Sequence, residues 1–130
     1  MNRVVKCFIN AINDHDIDRI ASLMSNDHIF IDAHGREVIG RDNMKNGWIA
    51  YFKWFPDYHI DMADVFEKSN TVFLTGFVQG SYMNSTDTDD HWRLPAAWRA
   101  VIQNDRIALW QVFADTKIPF EIIQRHSAFE

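Results

Sequence analysis

The chain has few of the residues that build disulfides, metal sites and phosphate-binding loops. Its single cysteine, Cys7, excludes an internal disulfide and a cysteine-rich metal site, and it fits a reduced, cytoplasmic setting. His28, His59 and His91 are scattered without metal-ligand spacing. No glycine-rich phosphate loop or nucleophile elbow is present. The sequence therefore predicts neither a metal nor a cofactor.

Basic charge and long apolar runs are also scarce. Thirteen Lys and Arg stand against 18 Asp and Glu, a formal net charge of -5, which argues against a nucleic-acid partner because phosphates require a basic surface. The longest apolar runs are only a few residues, so neither a signal peptide nor a membrane span is predicted. A chain of 130 residues is the size of one domain, predicted to span residues 1–130.

Aromatic residues, in contrast, are abundant. Five Trp and ten Phe exceed what the core of so short a chain usually needs. We expect the surplus to line a cavity or an interface.

Helical spacing of apolar residues predicts three helices in the first half of the chain. The first carries the stripe Val5, Phe8, Ile9 and Ile12 and stops at Asn13-Asp14-His15. The second is capped by Asp16 and contains Ile17, Ile20, Leu23 and Met24. The third follows Gly40, has Asp42 as its predicted cap and ends before Pro56.

From His59 onward the period changes to two, which predicts antiparallel strands. The predicted strands are His59 to Phe66, Thr71 to Tyr82, Trp92 to Ile102 and Arg106 to Ala114. A short helix from Ile118 to Arg125 is predicted to follow. The last strand has apolar residues on both faces, so we expect the helices to cover one face of the sheet and a second copy of the chain to cover the other.

Asp32 stands at the end of the apolar strand His28 to Ile31, where a carboxylate has no structural reason to be. Side chains alternate along a strand, so Phe30, Asp32 and His34 share one face. Burial beside aromatic rings raises a carboxyl pKa toward the working range, which makes Asp32 a candidate acid or base. His34 is either a proton relay for Asp32 or a turn residue before Gly35.

Several short motifs, in this order and spacing, resemble the nuclear transport factor 2-like superfamily and its SnoaL-like group. The motifs are Asn13-Asp14-His15-Asp16-Ile17-Asp18, Asn26-Asp27-His28, Gly40-Arg41-Asp42, Phe55-Pro56-Asp57 and Asp105-Arg106-Ile107. The resemblance runs from about Val4 to Asp115. It implies a cone-shaped α+β fold, with three N-terminal helices packed on a curved antiparallel sheet that encloses a cavity, and a homodimer formed through the sheet. It does not imply one function, because the superfamily includes enzymes and proteins without catalysis.

Two groups within the superfamily give residue-level comparisons. Asp32 matches the general base of ketosteroid isomerases, but their enolate-stabilising tyrosine and protonated aspartate fall on Phe8 and near Ala97. The acidic residue of limonene-type epoxide hydrolases in the last strand falls on Val112. The resemblance therefore implies a base without the electrophilic partners of either group.

Other candidate binding residues come from the third helix and the last hairpin. Trp48, Tyr51 and Phe55 are predicted to form the helical wall of the cavity, with Tyr51 as its polar contact. A turn at Asn104-Asp105 sets Arg99 opposite Trp110. If the Trp110 face lines the cavity, Arg99 points inward to stack on Trp110, bind an anionic group or pair with Asp32; the alternative is a salt bridge at a dimer interface. The pattern leaves open which face of the hairpin lines the cavity.

The leading hypothesis is a homodimeric enzyme of the isomerase, cyclase or hydratase/hydrolase type that acts on a small hydrophobic, carbonyl-bearing molecule. Asp32 would be the general base, assisted by His34, Tyr51 or Arg99, and no cofactor would be needed. The alternative is a non-catalytic ligand-binding or scaffold dimer of the same fold. The sequence does not decide whether the protein is an enzyme.

Overall fold

The computed structural model describes residues 1–127, which fold into four helices packed on a six-stranded sheet. In chain order the elements are α1 (Arg3–Asn13), α2 (Ile17–Leu23), β1 (Met24–Ile31), β2 (Glu37–Ile39), α3 (Arg41–Trp54), β3 (His59–Lys68), β4 (Thr71–Ser81), β5 (His91–Gln103), β6 (Arg106–Ala114) and α4 (Lys117–Ser127). The predicted α+β class is confirmed. All four predicted strands from residue 59 onward are present, with small changes at their ends.

The sheet is open and mixed rather than purely antiparallel. Its strand order is β2-β1-β6-β5-β4-β3, and β1 runs parallel to β6 while every other pair is antiparallel. The sequence missed the three-residue strand β2, which is too short to show a period of two. It also placed Met24 in the second helix, whereas β1 begins there with an irregular register between Met24 and Ile29.

One face of the sheet, called the inner face below, packs against the helices. The predicted stripe of α1 is buried there: Val5, Phe8 and Ile12 are 0% exposed and Ile9 is 5% exposed. Trp98 and Trp110 lie at the centre of this core, with ring centroids 6.3 Å apart. Apolar residues at helical spacing thus bury a continuous surface, which stabilises the fold.

The β5–β6 hairpin has a different register from the predicted one. Its turn lies at Asn104 and Asp105 as predicted, both with positive φ, but the register shifts by one residue next to Ile102. Because of this bulge, Trp110 pairs with Ala100 and not with Arg99. A shift of one residue moves a strand's side chains to the opposite face.

Of the two helix caps predicted from aspartates, one is confirmed. The Asp16 carboxylate accepts a hydrogen bond from the Arg19 backbone N–H at 3.1 Å, so the predicted cap of α2 is confirmed. The predicted cap of α3, Asp42, is wrong: Gly40 occupies the cap position with φ 99°, and Asp42 lies in the first turn. A carboxylate in the first turn still interacts favourably with the helix dipole.

Two further features bear on the chain's setting. Within residues 1–127, no helix is long and apolar enough to cross a membrane. Cys7 is a free, half-buried thiol on α1. The cytoplasmic setting stays a prediction.

Candidate functional site

A cavity of about 410 Å³ lies between the inner face of the sheet, α3 and α4. Its lining is mostly apolar and comes from β1, β2 and β4–β6, the two helices and the segments that flank them. The lining residues are Phe30, Asp32, Ala33, His34, Val38, Met44, Gly47, Trp48, Tyr51, Trp54, Phe55, Tyr58, Val78, Trp92, Leu94, Val112, Ala114, Thr116, Pro119, Phe120 and Ile123. A volume of this size is typical of small-molecule sites.

Asp32 lies at the cavity with one oxygen already occupied. Its Oδ1 accepts hydrogen bonds from the backbone N–H groups of His34 (2.8 Å) and Arg36 (3.0 Å), within the turn that joins β1 to β2. Gly35, with φ 81°, donates its N–H to the Asp32 carbonyl at 3.0 Å. The carboxylate thus has a structural role, and neither of its side-chain hydrogen bonds uses Oδ2.

His34 lies beside Asp32, but its ring does not bond to the carboxylate. The Nε2 atom lies 2.9 Å from the Thr116 hydroxyl, and the ring meets Phe120 edge-on with centroids 5.2 Å apart. The ring therefore connects the β1–β2 turn to the start of α4. A proton relay from Asp32 through His34 lacks its hydrogen bond, while the predicted turn position of His34 is confirmed.

The helical wall predicted from the sequence does line the cavity. Trp48 and Phe55 are 4% and 1% exposed, and Tyr51 lies between them in chain order. Tyr51 is nearly perpendicular to Trp48, at 88°, and to Tyr58, at 86°. Phe55 in turn meets Trp92 of β5 at 83°. These edge-to-face pairs give the wall a fixed geometry.

The two tyrosines of this wall remain neutral near neutral pH. Burial raises the pKa of Tyr51, and burial together with the neighbouring Tyr51 raises the pKa of Tyr58. No hydrogen bond contributes to either shift. Both hydroxyls therefore keep their protons and can donate hydrogen bonds in the cavity wall, with no role as a base near neutral pH.

The polar motif after α1 explains how Tyr58 is held in place. His15 Nε2 lies 2.7 Å from the Tyr58 carbonyl oxygen, and the His15 ring stacks on Phe52 of α3. Asn13 makes two hydrogen bonds to the backbone of Ile60, at 2.8 and 3.0 Å, as a neighbouring strand would. Asn13 and His15 thus hold the segment between α3 and β3 in place through backbone hydrogen bonds and ring stacking.

Helix α4 covers one side of the cavity through Pro119, Phe120 and Ile123. Near its other end, Arg125 and His126 both contact the carboxylate of the buried Asp90, with His126 Nε2 at 2.7 Å. Hydrogen bonds from Ser85, then from His126, lower the pKa of Asp90 to about 2. A charged Asp90 therefore holds α4 against the loop after β4.

Two predicted binding residues lie outside the cavity. Trp110 is on the inner face, 1% exposed, but it packs on Phe8 in the core and does not line the cavity. Arg99 lies on the opposite, outer face, paired with Gln111, so its predicted inward orientation and its pairing with Asp32 are wrong. The sequence left undecided which face of the β5–β6 hairpin lines the cavity. In the structure Val112 and Ala114 line it, and Phe113 points away from it.

Three positions carry apolar residues where the resemblance to ketosteroid isomerases and epoxide hydrolases would put polar catalytic ones. Phe8 is fully buried in the core, Ala97 lies on the outer face opposite Phe113, and Val112 lines the cavity. None supplies a polar group to the site. Among residues 1–127, no three His, Cys, Asp or Glu side chains are grouped closely enough to hold a metal ion.

Several lining residues were not singled out from the sequence. They include Val38 of the missed strand, Tyr58 and Trp92 of the aromatic wall, the half-exposed Trp54, and the three residues of α4. Their apolar character was visible, but it does not separate a cavity wall from ordinary core. Only the arrangement of the elements distinguishes the two.

Comparison with known proteins places the chain in a family. The model of the SnoaL-like domain matches residues 5–110. No match was found among curated proteins.

Solved structures resemble the fold at low sequence identity. A putative SnoaL-like polyketide cyclase from Shewanella denitrificans OS-217 has a TM-score of 0.80 at 12% identity, covering 95% of this chain and 96% of that one. The LEH-like epoxide hydrolase from M. tuberculosis has a TM-score of 0.77 at 14% identity, covering 95% and 88%.

A third neighbour was crystallised with a small molecule. It is a hypothetical protein with a ketosteroid isomerase-like fold from Catenulispora acidiphila DSM 44928, in complex with trimethylamine, with a TM-score of 0.77 at 14% identity, covering 87% and 85%. Identities this low carry the fold and no particular activity. With a family match over most of its length, the chain belongs to the SnoaL-like domain family.

Proposed function

We propose that the protein binds a small, largely apolar organic molecule in the cavity between the sheet, α3 and α4. The observation that carries this proposal is the aromatic-lined volume of about 410 Å³ with Asp32 at its wall. Trp48, Tyr51, Phe55 and Trp92 would contact the ligand, because aromatic rings offer a large apolar area at low entropic cost. The low-identity neighbour that holds trimethylamine agrees with small-molecule binding in this fold.

A neutral fluorescent probe, N-phenyl-1-naphthylamine, tests the proposal. Ala114 of β6 lines the cavity, so Ala114→Phe fills part of its volume. Ala50→Phe makes the same change on the exposed side of α3 and serves as the control. We expect saturable binding to the wild type and to Ala50→Phe, and binding at least about fivefold weaker to Ala114→Phe, since a blocked pocket loses contact area. Equal binding by all three proteins, or none, would overturn the proposal.

A second candidate function, proton transfer by Asp32, is supported by one observation. Asp32 lines the cavity, and the two hydrogen bonds to its carboxylate use Oδ1 and not Oδ2. A carboxylate oxygen there would accept the proton of an acidic C–H from a ketone bound in the cavity. His34 and Tyr51 would act as neighbours of the substrate, and Arg99 would take no part.

Exchange of the α-hydrogens of 2-tetralone in deuterated buffer tests this function. We expect the wild type to accelerate exchange above the buffer rate and Asp32→Asn to remove that acceleration. Asn retains an oxygen for the turn, so loss of rate would not reflect loss of the turn. If the variant and the wild type exchange the probe equally, Asp32 is not a base.

We further propose that two copies of the chain pair through the outer face of the sheet. Phe73, Phe77 and Phe113 are 42%, 40% and 43% exposed on that face, next to a shallow apolar groove. Arg99, in the same region, has a buried Nε without a hydrogen-bond partner in the described part of the chain. Exposed aromatic rings with an arginine are typical of the centre of a protein interface.

Sedimentation velocity tests this pairing. We expect a dimer at micromolar concentration and a monomer for Phe113→Glu, because the substitution puts a charge in the buried centre of the interface. Ile118→Glu, at an exposed apolar position of α4, is the control that should remain dimeric. A monomeric wild type would overturn the proposal.

A further inference from the structure

The cavity combines many aromatic rings and the His34 imidazole with one carboxylate and no Lys or Arg side chain. We propose that it selects an organic cation, a tertiary or quaternary ammonium group with apolar substituents, over neutral or anionic molecules of the same size. The inference names the ligand class of the cavity and so rests on the proposed function above.

The charge of the lining supports a cation. Asp32 is the only Asp or Glu among the lining residues within the described chain, and no Lys or Arg accompanies it. Because Oδ1 is held by two backbone N–H groups, the carboxylate is fixed in place and Oδ2 is left for a ligand. An anionic ligand would find no Lys or Arg in this wall and would be repelled by Asp32, while the Nε2 atom of the lining His34 lies 2.9 Å from the Thr116 hydroxyl. The net charge of -5 adds a weak general attraction for cations.

The aromatic rings of the lining also favour a cation. Eight aromatic side chains line the cavity: Phe30, Trp48, Tyr51, Trp54, Phe55, Tyr58, Trp92 and Phe120. Three pairs among them stand within a few degrees of perpendicular, namely Trp48 with Tyr51 at 88°, Tyr51 with Tyr58 at 86° and Phe55 with Trp92 at 83°. Such edge-to-face contacts hold the rings in fixed orientations. A rounded ammonium group is attracted by the negative faces of such rings.

The physical reason for selectivity is the replacement of lost hydration. An alkylated ammonium group is weakly hydrated compared with a primary ammonium, so ring faces and one carboxylate compensate for much of the water it loses. A neutral isostere of the same shape gains the same apolar contact but no charge interaction. The difference between the two ligands therefore isolates the electrostatic part of binding.

The test uses phenyltrimethylammonium and tert-butylbenzene, which differ by a nitrogen cation in place of a carbon. Each competes against N-phenyl-1-naphthylamine, with benzenesulfonate as the anionic probe. We expect the cation to bind about tenfold more tightly than the neutral isostere, and the anion not to displace the dye. If tert-butylbenzene binds as tightly as the cation, or benzenesulfonate displaces the dye, the ligand class is wrong although the cavity binds small molecules.

Two matched variants locate the source of the selectivity. Asp32→Asn should weaken binding of the cation about fivefold, and that of the neutral isostere by less than about twofold. Asp27→Asn removes the same charge from an exposed position of β1, the strand that precedes Asp32, and should change neither affinity. Equal losses for the cation in both variants would mean that general charge, and not the site, attracts it. If the dye itself does not bind, the proposed function fails together with this inference.

Discussion

Asp32 holds the β1–β2 turn as well as facing the cavity, and the two roles can be separated by mutation. Its Oδ1 accepts two backbone hydrogen bonds, at 2.8 and 3.0 Å. Each such bond contributes roughly 0.5–1.5 kcal/mol net, so Asp32→Ala should lower the free energy of unfolding by about 2 kcal/mol. Asp32→Asn keeps an acceptor oxygen at the same position and should lower it by less than about 1 kcal/mol.

Urea denaturation at neutral pH, followed by tryptophan fluorescence, measures these changes. Asp27→Ala, at an exposed position of β1, is the matched control and should change the free energy of unfolding by no more than about 0.5 kcal/mol. The reasoning is refuted if Asp32→Asn is as destabilising as Asp32→Ala, because the turn would then depend on the charge and not on the acceptor. The result also decides which variant is informative for function. Loss of binding or activity in Asp32→Ala alone would report a broken turn.

Three further predictions concern other parts of the fold. Burial lowers the pKa of His28, which is 0% exposed, so the stability it contributes is complete above pH 6.5, the ordinary histidine value, and is lost as the pH falls below it. Urea denaturation should show that the free energy of unfolding falls less between pH 7 and pH 5 for His28→Asn than for the wild type. Equal decreases in the two proteins would contradict this. A Cβ on Gly76 would lie 2.1 Å from the Asp61 carbonyl oxygen, whereas one on Gly80 would meet its nearest side-chain atom at 3.1 Å. Gly76→Ala should therefore lower the free energy of unfolding by more than about 2 kcal/mol, and Gly80→Ala should lower it by about 1 kcal/mol or less, as measured by thermal or urea unfolding. The reverse order would be evidence against a clash at Gly76. Asp90→Asn should speed hydrogen exchange in α4 but not in α1, because α4 loses its charged contact; unchanged exchange in α4 would show that other contacts hold it.

Much of the fold follows from local sequence signals. The stripe of α1, the cap of α2 at Asp16 and the hairpin turn at Asn104 and Asp105 each depend on residues close together in the chain. Their physics is local, since a stripe needs only helical spacing and a cap needs one side-chain oxygen. The same holds for Phe30, Asp32 and His34, whose common face follows from the alternation of a strand.

Features that depend on irregular pairing were missed. The bulge beside Ile102 moves Arg99 to the outer face, and one extra residue in a strand leaves no clear mark in the pattern of apolar residues. The parallel pairing of β1 with β6 is set by contacts between segments about 80 positions apart, as in the bond from His28 to the Ile107 carbonyl. Such contacts have no local signature.

The sequence by itself determined the α+β class, most element boundaries and the presence of a carboxylate on an aromatic strand face. The tertiary structure decided which apolar residues form a cavity wall and which form core, as for Tyr51 and Trp110. It also decided that Asp32 has one oxygen in a turn and that His34 bonds to Thr116. The physical reason is that a local pattern records which side chains avoid water, whereas a site depends on which of them meet across the fold.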